Sequence, residues 1–126
     1  MPLVLGICLG MQMLYAHLQE GDCPGLGLIA GEVRRLEAGP LPVPHMGWNT
    51  CQDYSADPLL AGLGPDDYFY FVHSYAAPCT AATLAACEYG GRFTAVTRRD
   101  NFWGVQFHPE RSAAPGARLL RNFLEL

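Results

Sequence analysis

Lysine is missing from this chain: all eight basic residues are arginine. No site chemistry would exclude lysine from every position, so the absence carries no functional reading. Basic clusters are scarce too. Arg34-Arg35 and Arg98-Arg99 are the longest basic runs, and 8 basic against 12 acidic residues leave a net charge of -4, which argues against a nucleic-acid partner. The longest apolar run, Leu3 to Met13, is interrupted by Gly6, Gly10 and Gln12 and falls short of the roughly 20 residues a membrane span needs. No two cysteines form a C-x-x-C. Five of them, Cys8, Cys23, Cys51, Cys79 and Cys87, with no leading basic and apolar signal segment, suit a reducing cytoplasm. The cysteines and histidines also lack the close spacing of a ligand set, so no metal is assigned.

What is present is enough apolar sequence for one core. Half of the 126 residues are hydrophobic, which fits a single domain over residues 1–126. Pro2 to Cys8 reads as a short buried strand ending in a glycine turn. Leu9, Met13, Leu14 and Leu18 recur near helical spacing, which predicts a helix from Leu9 to about Gln19, stopped by Gly21. Glu32–Leu36 reads as a strand and Pro40–Pro44 as a loop. The aromatic, alternating Asp67–Tyr75, the pair Thr83–Tyr89 and Arg92–Thr97 joined at Gly90-Gly91, and Phe102–Phe107 are predicted to form one sheet. Leu119, Leu120, Phe123 and Leu124 place an amphipathic helix at the C-terminus. The pattern is α/β with an antiparallel portion.

Two segments could carry chemistry. Gly6-Ile-Cys8-Leu-Gly10 has the form of a nucleophile elbow, in which small flanking residues let a strand turn tightly into a helix and lift the middle side chain out of the sheet. A cysteine there is expected to be exposed and activated, with the helix N-terminus favouring its thiolate and the Leu9 N–H placed to bind an oxyanion. Gly104 to Glu110 brings His108 to the end of a strand, with Pro109 barring immediate continuation into a helix. Glu110 is a suitable partner for the second ring nitrogen of a base that needs its tautomer fixed. Each segment alone also has a bland reading: a buried cysteine beside a glycine turn, and a loop histidine beside a solvated carboxylate. His73 and Tyr75 lie on a strand whose alternation makes most of its members core, and His17 and His45 have no evident partner.

Taken together, Gly6-Ile-Cys-Leu-Gly-Met-Gln12 and Gln106-Phe-His-Pro-Glu110 resemble the two signatures of the class I, or triad, glutamine amidotransferases. Gly25–Ile29, Pro44–Asn49, Tyr68–Tyr75 and the closing segment Gly116–Leu124 resemble the branch that supplies the glutaminase subunits of imidazole glycerol phosphate synthase. Pro44–Asn49 and Tyr68–Tyr75 argue against the guanylate, anthranilate and pyridoxal phosphate branches. The resemblance covers essentially the whole chain. It implies a flavodoxin-like α/β domain with Cys8 as nucleophile, His108 as base and Glu110 as its orienter. L-glutamine would be held by Gln12, Glu20 and the backbone around Ser74 and Tyr75. It also implies that no cofactor is needed, and that ammonia passes to a (β/α)₈-barrel cyclase subunit met by Trp48, Asn49 and Arg111. Glu20 and Trp48 have plain alternatives, a solvated helix-end carboxylate and an aromatic packed near glycine.

The chain departs from the family pattern at two places. Members carry a strand, a helix, a second strand and a P-G-x-G-type oxyanion loop before the nucleophile strand, whereas here Met1 directly precedes it, so the domain is expected to be N-terminally truncated. That leaves a non-catalytic, partner-binding fragment as an alternative. Arg111 stands where the family often has lysine, which keeps the charge and changes its shape.

Overall fold

The computed structural model describes residues 2–126; Met1, the first residue of the expected domain, lies outside the described residues. The chain runs through β1 (Val4–Ile7), α1 (Leu9–Gln12), β2 (Tyr15–Leu18), β3 (Cys23–Pro24), β4 (Ile29–Arg35), β5 (His45–Thr50), β6 (Tyr68–His73), β7 (Tyr75–Ala76), β8 (Thr83–Glu88), β9 (Arg92–Arg99), β10 (Phe102–Val105) and α2 (Ala113–Leu124). Short 3₁₀ turns cover Pro58–Leu60 and Pro109–Arg111. This is an α/β fold with mixed sheets and few helices.

The sheet that positions the chemistry has the order β1-β10-β9-β8, with β1 parallel to β10 and the other pairs antiparallel. Parallel pairing sends the C-terminal ends of β1 and β10 to the same edge. Gly6 sits opposite Gly104 in that register, and both are needed as glycine. A Cβ on Gly6 would lie 2.6 Å from the carbonyl carbon and oxygen of Gly10, and one on Gly104 would lie 2.7 Å from Met11 Cγ. The pair makes the hollow in which α1 rests on the sheet.

The helix expected from Leu9 to about Gln19 is a single turn. Leu14 N–H donates to Met11 O at 3.0 Å, the chain turns, and Tyr15–Leu18 becomes a strand parallel to β4. Tertiary partners override the local spacing here. His17 stands opposite Glu32 and bonds to its carboxylate at 2.6 Å, while Met11, Leu14, Tyr15 and Leu18 pack with Ile29, Val33 and Ala77 in a core of their own. The same residues would have lined one face of a helix, so the apolar pattern did not separate the two outcomes.

The single aromatic sheet expected from Asp67 to Phe107 is also divided. Only β8, β9 and β10 share a sheet; β6 pairs antiparallel with β5 over a six-residue register from His45↔His73 to Thr50↔Tyr68. One face of this pair carries Phe69, Phe71, His45 and His73, all buried, and the other carries Met46, Trp48, Tyr68 and Tyr70. The buried face joins Phe93, Val105, Phe107 and Leu119 in the main core. The C-terminal helix forms as expected, with Leu119 buried, but Leu124 points to solvent.

Candidate active site

Cys8 directly follows β1, with φ 55 and ψ -108, a backbone state that a residue bearing a side chain rarely adopts. Its N–H still donates to Val105 O at 2.8 Å, while its carbonyl accepts from Gln12 N–H at 3.1 Å. The residue is therefore held by the sheet on one side and by α1 on the other, which forces the sharp turn. The side chain is half-buried. Its S–H donates to Val72 O at 3.9 Å, and Gln106 Nε2 donates to the sulfur at 3.6 Å.

That environment corrects the expectation of an exposed, activated thiolate. Burial pushes the Cys8 thiol above its ordinary range; the Leu9 N–H pulls it down, the nearby Glu110 carboxylate pushes it up, and the Gln106 amide lowers it. Burial prevails because one helical turn offers only a small dipole. Leu9, the expected oxyanion donor, thus lies with its N–H beside the sulfur, and its side chain is exposed.

His108 follows β10 at the same edge. Its N–H donates to Tyr70 O at 2.9 Å, and its Nδ1 lies 3.0 Å from Glu110 Oε2, the arrangement that leaves Nε2 free to exchange protons. Ser112 fixes this turn. Fully buried, its hydroxyl donates to His108 O at 2.6 Å and accepts from Tyr70 N–H at 2.9 Å. Among the described residues no hydrogen bond joins His108 to the Cys8 sulfur, whose neighbours are Gln106 and Val72. Such bonds commonly tighten only when substrate is in place.

Gln12, 6 % exposed, uses its amide group inside the protein: Nε2 donates to Tyr75 O and to Gln106 Oε1, both at 3.0 Å. Only its Oε1 is left for a ligand. Tyr75 O also receives His73 Nδ1–H at 2.9 Å, and Ser74 O accepts from Leu36 N–H. Glu20 lies exposed in the turn between β2 and β3, and among the described residues no hydrogen bond or ion pair links it to Cys8, Gln12 or His108.

Trp48, Asn49 and Arg111 divide. Trp48 is 53 % exposed and packs edge-on against Tyr70, with ring centroids 5.8 Å apart, while the Arg111 guanidinium lies 4.3 Å over the same tyrosine ring. These three form one exposed patch with Met46 and Tyr68. Asn49 faces the other way and donates to His45 Nε2 and Glu88 O, each at 3.2 Å.

Several residues of the site escaped the sequence reading. Gln106 was legible as the one amide in the apolar run Val105 to Phe107, a position that demands polar partners. Ser112 and the His45–His73 bond had no local signal. His17 and His45, without evident partners in the sequence, meet Glu32 and Asp22 in one case and His73 and Asn49 in the other. Among the described residues no three or more His, Cys, Asp or Glu gather as a metal ion would require, and no helix is long and apolar enough to cross a membrane.

The family model described as "Glutamine amidotransferase class-I" matches residues 2–126. The chain is 57 % identical over 124 residues to the imidazole glycerol phosphate synthase subunit HisH of Xylella fastidiosa (strain Temecula1), covering 98 % of this chain and 62 % of that protein. It is 54 % identical over 129 residues to the subunit of the same name from Vibrio cholerae, covering 98 % and 64 %. The chain therefore spans less than two thirds of these relatives. Among solved structures, a glutamine amidotransferase from Thermotoga maritima shares the fold with a TM-score of 0.64 at 21 % identity, over 96 % of this chain and 46 % of that one. With the family pattern matched from residue 2 to the C-terminus, the chain belongs to the class I glutamine amidotransferases.

Proposed function

We propose that this chain carries the glutaminase chemistry of imidazole glycerol phosphate synthase, hydrolysing L-glutamine to glutamate and ammonia for use by a cyclase subunit in histidine biosynthesis. The observation that carries this reading is the parallel pairing of β1 with β10, which brings Cys8, on a strained elbow, to the same sheet edge as the hydrogen-bonded His108–Glu110 pair. His108 Nε2 takes the proton from Cys8 as the sulfur attacks the side-chain amide carbon of glutamine. The Leu9 N–H faces the oxyanion, and the tetrahedral intermediate collapses to a γ-glutamyl thioester as His108 protonates the departing ammonia. Water then adds to the thioester with His108 taking its proton, and glutamate leaves as the Cys8 thiol is restored. Glu110 holds the ring oriented throughout. No cofactor enters this scheme.

The raised thiol fits an enzyme whose activity rises only when substrate or partner rearranges the site. The patch of Met46, Trp48, Tyr68, Tyr70 and Arg111 is the surface for the barrel-shaped cyclase subunit, since aromatics on one face of the β5–β6 pair with an arginine laid over them are the usual anchors of an interface. A biosynthetic pair of this kind works in the cytoplasm. The second reading, binding without turnover, draws on the same patch together with the protonated Cys8.

Glutamate release is to be measured for the chain alone and with the cyclase subunit plus its nucleotide ligand, beside Cys8→Ala. Release that needs Cys8 supports the glutaminase reading. A folded, partner-bound chain with no release establishes the binding reading instead.

A further inference from the structure

Two imidazoles lie buried beside the site and outside the catalytic scheme. His45 and His73 face each other across β5 and β6, with His45 Nδ1 3.0 Å from His73 Nε2. The remaining nitrogen of each ring is also engaged. His45 Nε2 is met by Asn49 Nδ2 at 3.2 Å, and an amide nitrogen can only donate, so that ring nitrogen accepts. His45 must then carry its proton on Nδ1 and donate to His73 Nε2. That leaves His73 with its proton on Nδ1, where it meets the Tyr75 carbonyl at 2.9 Å, and a carbonyl can only accept.

One direction therefore runs through the whole row. Asn49 donates to His45, His45 to His73, and His73 to Tyr75 O. The same carbonyl takes the Gln12 amide, which also donates to Gln106, whose own amide donates to the Cys8 sulfur. Reversing any link would set two donors or two acceptors against each other. Packing holds the rings in place: His45 is stacked between Tyr89 and Phe71, with centroids at 4.0 and 4.8 Å, and His73 leans on Phe93 at 5.0 Å. His108 is the titratable group whose charge faces His73 from beyond β10.

We propose that His45 and His73 are positioning residues for the glutamine site: a neutral pair, each with its proton on Nδ1, that fixes the Tyr75 carbonyl and through it the orientation of Gln12, Gln106 and Cys8. Neither touches substrate. The kinetic part of this inference rests on the glutaminase reading above; the tautomers and the Gln12 contact do not.

Histidine-selective ¹⁵N long-range NMR of the full chain at pH 7 reads the tautomers directly. The expected pattern is Nδ1–H on both rings, against the Nε2–H form that free imidazole side chains favour; an Nε2–H or doubly protonated pattern on either ring overturns the proposal. Two variants separate positioning from bulk. His73→Asn keeps an N–H where Nδ1 stood, and His73→Leu removes it, while both lose the bond to His45. The Gln12 side-chain amide resonances are expected to shift in His73→Leu and stay near their original place in His73→Asn. In the complex with the cyclase subunit, the KM for glutamine is expected to rise about tenfold in His73→Leu and less than about threefold in His73→Asn, with kcat less affected. Equal effects in the two variants would mean that His73 only fills space. If the unaltered chain releases no glutamate, the functional reading fails and the NMR results alone decide this one.

Discussion

Acid should loosen this fold through the same two rings. Burial first, then the charge of His73 facing His45 and that of His108 facing His73, depress both His45 and His73 to about 4, the Tyr75 carbonyl only partly opposing this at His73, against about 6.5 in an unfolded chain. The unfolded state therefore binds protons that the folded state refuses between these values. Stability contributed by the neutral pair is complete above pH 6.5 and is lost as pH falls from there through 4. A gap of 2.5 units corresponds to about 3 kcal/mol for one ring, of which about 2 kcal/mol is gone by pH 5. The two rings together lose less than twice this, since the charge of His73 is itself one cause of the depression of His45. His17 works in the opposite direction. Its bond to Glu32 raises it above the usual histidine range, so its contribution is present below pH 6.5 and fades as pH rises, but the ring is exposed and its effect is small. Urea unfolding at pH 7, 6 and 5, followed through the buried Trp103, should show the midpoint falling with pH and most steeply below 6. In His45→Phe, where a phenyl ring can keep the stack with Tyr89 and Phe71, the pH dependence should be clearly shallower. An unfolding free energy that is flat from pH 7 to 5, or that falls equally in the variant, would refute the reasoning.

Other outcomes follow from single contacts. Gly6→Ala drives a methyl into the Gly10 carbonyl and should cost about 2–4 kcal/mol in unfolding free energy, lifting α1 and lowering any Cys8-dependent turnover. The Asp57 carboxylate, 5 % exposed, accepts Arg98 Nη1 at 2.9 Å and both Trp103 Nε1 and Leu59 N–H at 3.0 Å; Asp57→Ala leaves these donors unpaired and should lower stability by about 2–3 kcal/mol by urea titration. Trp48→Ala should leave the melting temperature nearly unchanged, because its ring is mostly exposed, yet weaken cyclase binding by about 2 kcal/mol or more in calorimetry.

Motifs whose geometry is local were legible in the sequence. The elbow at Cys8 needs only small neighbours and a strand before it, and the His108–Glu110 bond spans two residues; both follow from short segments. The C-terminal helix and the β8–β9 hairpin were legible for the same reason. What was hidden depends on distant partners. Tyr15–Leu18 is a strand because β4 lies alongside it, and no residue between Leu9 and Gln19 announces that. His45–Thr50 pairs with β6 through backbone bonds that side-chain alternation cannot reveal. The raised Cys8 thiol was likewise unreadable, since it arises first from burial of a sulfur that a motif would leave open and then from the nearby Glu110 carboxylate.

The parallel pairing of β1 with β10 also has a bearing on synthesis. Gln106, the amide that contacts the Cys8 sulfur, is translated 98 positions after it. Sequence separation this wide makes loop closure entropically costly and slows the approach to the native state. A nascent chain still on the ribosome accordingly carries Cys8 with neither His108 nor Gln106 at its side, and their shared sheet edge forms in one late step, when β10 slots in beside β1.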